Sequence, residues 1–157
     1  MKQVRDLSGE LPVGAIEGLQ PLAVLVIAAL RGWNRGGAGA ALVALRARMS
    51  EGQAAAAMAA MCDLAGILGT ARRRPLACHA PQCPCVGADE AAFARFVQEA
   101  ALGEREDALL LASLMVDGPA IVCLTRAAQR FGLQLHRATL RDTAALTVVA
   151  PAGTTLH

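Results

Sequence analysis

Four side chains that can bind a soft metal or carry thiol chemistry fall within eight residues of chain. They are Cys78, His79, Cys83 and Cys85, in the stretch 74–87, RPLACHAPQCPCVG. A borderline-soft divalent ion such as zinc takes Cys and His ligands in a tetrahedron. The spacing C-H-x3-C-P-C differs from the C-x2-C pairs of structural zinc sites, and adjacent Cys78 and His79 reach one ion only if the backbone bends between them. The expected set is Cys78, Cys83 and Cys85, completed by His79, by a distant residue such as His136, or by water. Cys62, about 12 Å by helical rise from the end of its expected helix, is a reserve ligand. An iron–sulfur cluster is the lesser alternative. A redox or catalytic thiolate at Cys83 or Cys85 is another, and unliganded cysteines are the plainest.

The flanking sequence suits thiolates. A helix expected to begin near Ala88 points its positive end at the loop, and Arg72, Arg73 and Arg74 precede it. Both features should lower thiol pKa values, which favours metal binding and nucleophilicity alike. Pro75, Pro81 and Pro84 reduce the entropy lost when the loop closes.

Other chemistry finds less support. The chain has no phosphate-binding Walker loop, no G-x-S-x-G elbow and no H-E-x-x-H pair. Its carboxylates gather where helices should start, so no catalytic residue is assigned and a binding role is favoured over an enzyme. A net charge of +2, no Tyr and the single Trp33 do not make a nucleic-acid surface. The three arginines end an expected helix, where they suit its last carbonyls. The stretch 31–37, RGWNRGG, reads as a helix C-cap and turn, with an anion nest as the alternative.

These residues need elements to hold them. At 157 residues one domain is expected, spanning 1–157. The chain is 55% hydrophobic and 18% charged, against roughly 25% charged in ordinary domains, which points to close helix packing and a buried subunit interface. Pro21 opens a first helix, apolar all round and so expected at the centre. A second covers 39–49, and a third runs from the Ser50 cap, with Gln53 three residues on, to about Thr70. Phe93, Phe96, Val97, Ala100 and Ala101 mark a helix over 88–102. Another follows from Glu104, and the last runs from 117–119 to Gly132. Cys62 and Cys123 should pack in the core.

The expected fold is therefore all-α, a compact bundle of five or six helices interrupted by the Cys/His loop 75–87. An irregular arm occupies 1–18 and a loose tail 150–157. Alternation in 133–136 and 145–149 allows a short C-terminal β-ribbon. The longest apolar run, 22–30, is shorter than the ~20 residues of a membrane span, and the acidic N-terminus does not suit a signal peptide. A cytoplasmic location follows, where thiols stay reduced. The expected function is a zinc-stabilised, non-enzymatic interaction or regulatory module, a homodimer that offers Arg72–Arg74 to a protein partner. A thiol-based redox sensor or enzyme is the first alternative and a reversible metal sensor the second.

Overall fold

The computed structural model describes residues 8–148. The chain folds as an α-helical bundle with one small antiparallel ribbon. Strand β1 is Pro12–Ala15, and helix α1, Pro21–Arg46, follows. Helix α2 is Glu51–Ala71, strand β2 Cys85–Gly87 and helix α3 Ala88–Leu102. Helices α4, Arg105–Met115, and α5, Ile121–Val148, complete the fold. The tail lies outside the described residues, as do residues 1–7 of the arm.

Local chemistry explains most boundaries. Ser50 accepts from the Gln53 backbone N–H, and the Gln53 side chain accepts from the Ser50 N–H, which closes the capping box expected at the start of α2. Gly103 ends α3 at φ +87°, the left-handed conformation that glycine adopts without strain. Proline occupies the start of α1, where its missing N–H costs no hydrogen bond.

Helix α1 combines two of the expected helices. Gly36 and Gly37 leave helical geometry, Gly37 at φ +67°, and the chain folds back on itself there. A Cβ on Gly32 would lie 2.7 Å from the Ala41 Cα, so limbs 21–35 and 38–46 touch backbone to backbone. In a straight helix those nine residues would span about 13 Å.

Helix α5 is the central element, packed on α2, α3, α1 and α4. Its buried stripe, Leu124, Ala127, Ala128, Phe131, Leu135 and Ala138, keeps the 3.6 period well past Gly132. The helix end expected at Gly132 and the strand expected over 133–136 are therefore both replaced by helix, which continues through Val148. Gly132 serves close approach. A Cβ there would meet Ala101 Cβ at 2.7 Å and the Val97 carbonyl at 2.8 Å across the α3–α5 contact.

The ribbon lies elsewhere. β1 pairs antiparallel with β2, setting Gly14 opposite Val86 and Ala15 opposite Cys85. The arm thus crosses the end of the cysteine loop, and Ile16 N–H to Pro84 O (2.9 Å) and Ala88 N–H to Leu11 O (3.0 Å) extend the pairing on both sides. Cys62 and Cys123 are exposed. Met58, Met61, Leu64, Ala65 and Leu68 form the buried face of α2 and leave Cys62 outside it. By length and composition α2 could cross a membrane, yet 44% of its apolar window is buried within the fold.

Candidate functional site

The cysteine loop is clamped at its two ends by adjacent carboxylates, Asp89 and Glu90, in the first turn of α3. Glu90 is wholly buried. Its Oε1 accepts from Arg31 Nε at 2.6 Å and from the His79 backbone N–H at 3.0 Å. Its Oε2 accepts from Arg31 Nη2 at 2.9 Å and from the Gly87 N–H at 2.9 Å. Burial alone would push this carboxyl up. The Arg31 guanidinium and the two backbone donors outweigh it and hold Glu90 below the usual carboxylate range.

Arg31 is only 3% exposed and spends its remaining donors on the loop. Nη1 donates to Cys83 O at 2.7 Å and Nη2 to Cys85 O at 2.5 Å. Its bond to Glu90 raises its own pKa despite burial. One charged pair thus fixes the backbone of four loop positions, 79, 83, 85 and 87. Asp89 holds the other end. Arg74 donates to it through Nη1 and Nη2, both at 2.6 Å, and the Ala77 N–H adds a bond at 2.8 Å. Arg73 Nε donates to Val116 O at 3.1 Å. Arg73 and Arg74 therefore bond to the turn before α5 and to α3, not to the last carbonyls of α2, because the chain turns away from the helix axis after Ala71.

The four sequence-predicted ligands are placed unevenly. His79 Nε2 lies 2.9 Å from the Glu10 carbonyl. A carbonyl only accepts, so Nε2 carries a proton, and the tautomer with this bond has its lone pair at Nδ1. That lone pair faces Cys83 Sγ at 3.6 Å. The neighbouring Cys83 thiol pushes the Cys85 thiol up. Cys78 is turned toward the Leu76 carbonyl, 3.8 Å away. Burial pushes its thiol up to about 12, with Glu90 adding to the effect and Arg31 opposing it. The expected lowering of thiol pKa values is thus reversed at Cys78 and Cys85. Burial at Cys78 and the neighbouring Cys83 thiol at Cys85 outweigh the lowering by Arg31, while Arg74, one of the three arginines expected to help, is paired with Asp89.

Among the described residues, no group of three or more His, Cys, Asp or Glu side chains is gathered closely enough to hold a metal ion. The contacts bring His79, Cys83 and Cys85 toward one another and leave Cys78 apart. His136 and Cys62 lie on α5 and α2, and among the described residues neither side chain hydrogen-bonds to the loop.

The clamp itself was missed at the sequence level, although a signal existed. Arg31 directly follows nine apolar residues in a helix apolar on every face, and an arginine so placed is buried only with a carboxylate partner. In sequence Asp89 and Glu90 read only as carboxylates at a helix start. Comparison of the chain with protein-family models, with curated proteins and with solved structures finds no match.

Proposed function

We propose that the chain is a metal-stabilised, non-enzymatic interaction or regulatory module whose loop takes up zinc through His79 Nδ1, Cys83 Sγ and Cys85 Sγ. The observation that carries this reading is the His79–Cys83 pair. With zinc–sulfur near 2.3 Å and zinc–nitrogen near 2.05 Å, a tetrahedron has an S···N edge of about 3.6 Å, which is the distance between these two atoms. The backbone bond at Nε2 supports it further, since metal-binding imidazoles usually donate their other N–H to a carbonyl or carboxylate.

Cys85, whose thiol interacts with that of Cys83, is the third candidate and has to turn toward the pair to join. Cys78 is the candidate for the fourth position and has to turn from the Leu76 carbonyl and lose its proton to fill it. The helices share a continuous buried apolar core, so zinc would lock the loop rather than fold the chain. The homodimer and cytoplasmic location expected from composition belong to the same proposal. The surface for a partner shifts, since of the three arginines only Arg72 is not engaged in a side-chain bond to the fold.

The test is elemental analysis of protein purified without added metal, alongside Cys83→Ser, Cys85→Ser and Cys78→Ser variants. The reading expects one zinc per chain, lost in the first two variants and weakened in the third. Metal-free protein that does not take up added zinc would remove it. The closeness of Cys83 and Cys85 in sequence and the influence of one thiol on the other favour a second reading, a thiol redox pair. In that case the metal-free protein should lose two protons and two electrons to a disulfide oxidant and gain a Cys83–Cys85 bond. A reversible metal sensor differs from both in that chelation should alter helix packing through Arg31, and so the near-ultraviolet dichroism of Trp33.

A further inference from the structure

The space enclosed by the two limbs of α1 has no use in the metal reading. Val24, Ile27, Ala28, Arg31, Gly32 and Arg35 form one helical stripe on the first limb of α1. Ala40, Val43, Ala44, Ala47 and Arg48 form a second on the other limb. The fold at Gly36–Gly37 turns these stripes toward each other. Ile16 and Glu17 and the loop face 81–84 close the remaining side, leaving a cavity of about 740 Å³. That volume is within the roughly 300–1,000 Å³ of small-molecule sites. Alanines at 28, 40, 44 and 47 make the space, because larger side chains would fill it.

The polar groups are few and placed at the edge. Arg31 is spent on Glu90 and on the Cys83 and Cys85 carbonyls. Arg35 is exposed and has no ion pair among the described residues, and Arg48 is exposed with one bond, to the Ala44 carbonyl at 3.0 Å. Glu17 is the single carboxylate in the lining against these two cations. An apolar slot with a net positive edge complements a molecule with a hydrocarbon body and one anionic head.

We propose that this cavity is a binding site for an amphiphilic carboxylate, its hydrocarbon body between the two limbs of α1 and its head at Arg35 and Arg48. The limbs and the two arginines lie outside the loop, so the site shares only its 81–84 wall, which includes Cys83, with the zinc reading.

Calorimetric titration with decanoate, and with decanol as the uncharged control, tests this on the full chain. Decanoate should bind once per chain with Kd on the order of 10–100 µM, as expected for a ligand of that size. Decanol should bind about tenfold more weakly, and the double variant Arg35→Gln/Arg48→Gln should erase that preference. Both arginines are exposed, so this variant should keep the wild-type helical circular dichroism. Ala44→Phe, which fills the slot, should abolish binding of both probes. No saturable binding up to millimolar decanoate would overturn the proposal. Equal affinity for decanol, or an affinity that the arginine variant does not change, would also overturn it. So would a titration that dissociates an oligomer, since a second copy of the chain would then be the occupant.

Discussion

Glu90 is kept as a carboxylate by Arg31 and two backbone N–H groups, and removing its charge strands the guanidinium in the interior. Breaking a buried pair on one side costs about 3–5 kcal/mol, so Glu90→Gln should lower unfolding stability by that amount in urea titration. The pH dependence follows from the lowered pKa of Glu90. Its stabilisation is complete above the unfolded carboxylate value of about 4.3 and is lost as pH falls through the lower folded value. Wild-type protein should therefore lose stability more steeply below about pH 4.3 than Glu90→Gln does, measured by denaturant midpoints across pH. Thiol reactivity gives a separate check. Cys62 and Cys123 are exposed, while Cys78 is half-buried with its thiol pushed up to about 12. Brief alkylation of native protein followed by peptide mass spectrometry should label the first two and spare Cys78. The cysteine cluster was legible from residue type and spacing. Its clamp was not, because Arg31 and Glu90 are 59 residues apart and only the folded chain brings them together.

Elements meet at glycines, and those positions can be tested. Gly132 lies against Val97 and Ala101 with no room for a methyl group. Gly132→Ala must push α3 from α5 and should cost about 1–3 kcal/mol, the usual penalty of overpacking. Gly37→Ala meets no steric neighbour but forces an L-residue into φ +67°, ψ −153°, a nearly glycine-only conformation, so it should cost about 1–3 kcal/mol. Thermal unfolding of both variants checks these costs. Helix periodicity made α2 and α3 readable, with the Ser50 box and Gly103 marking an end of each, whereas α4 was placed but not oriented, since it buries Ala108, Ala112 and Met115 and leaves Leu110 and Leu114 exposed. It failed at Gly132, where the same residue type that ends a helix also permits close packing, and the buried stripe through Leu135 and Ala138 decides between them. The four-residue alternation at 133–136 was too short to separate strand from helix. The β1–β2 pairing was hidden for a different reason. Its strands have four and three residues and little β-propensity, and they form because the arm satisfies the backbone at the end of the loop.

At the scale of the whole molecule, the helices build a platform that presents one short loop. α1 supplies Arg31, α3 supplies Asp89 and Glu90, and the N-terminal arm supplies the Glu10 carbonyl that orients His79. Three separate parts of the chain thus hold the backbone around His79, Cys83 and Cys85, while the sulfurs and the Nδ1 lone pair make few bonds of their own. A loop so restrained has little entropy left to lose on binding an ion. The all-α bundle was readable from composition and period. The cavity within α1 was not, since its two stripes face each other only after the chain turns at Gly36–Gly37. Cobalt substitution tests the central claim most directly, because the ion reports its own ligands. Cobalt(II) added to the reduced, metal-free chain should give intense tetrahedral ligand-field bands and thiolate-to-metal charge transfer, saturating at one ion per chain and lost in His79→Ala and Cys83→Ser. A weak octahedral spectrum, or one that these substitutions leave unchanged, would contradict the account.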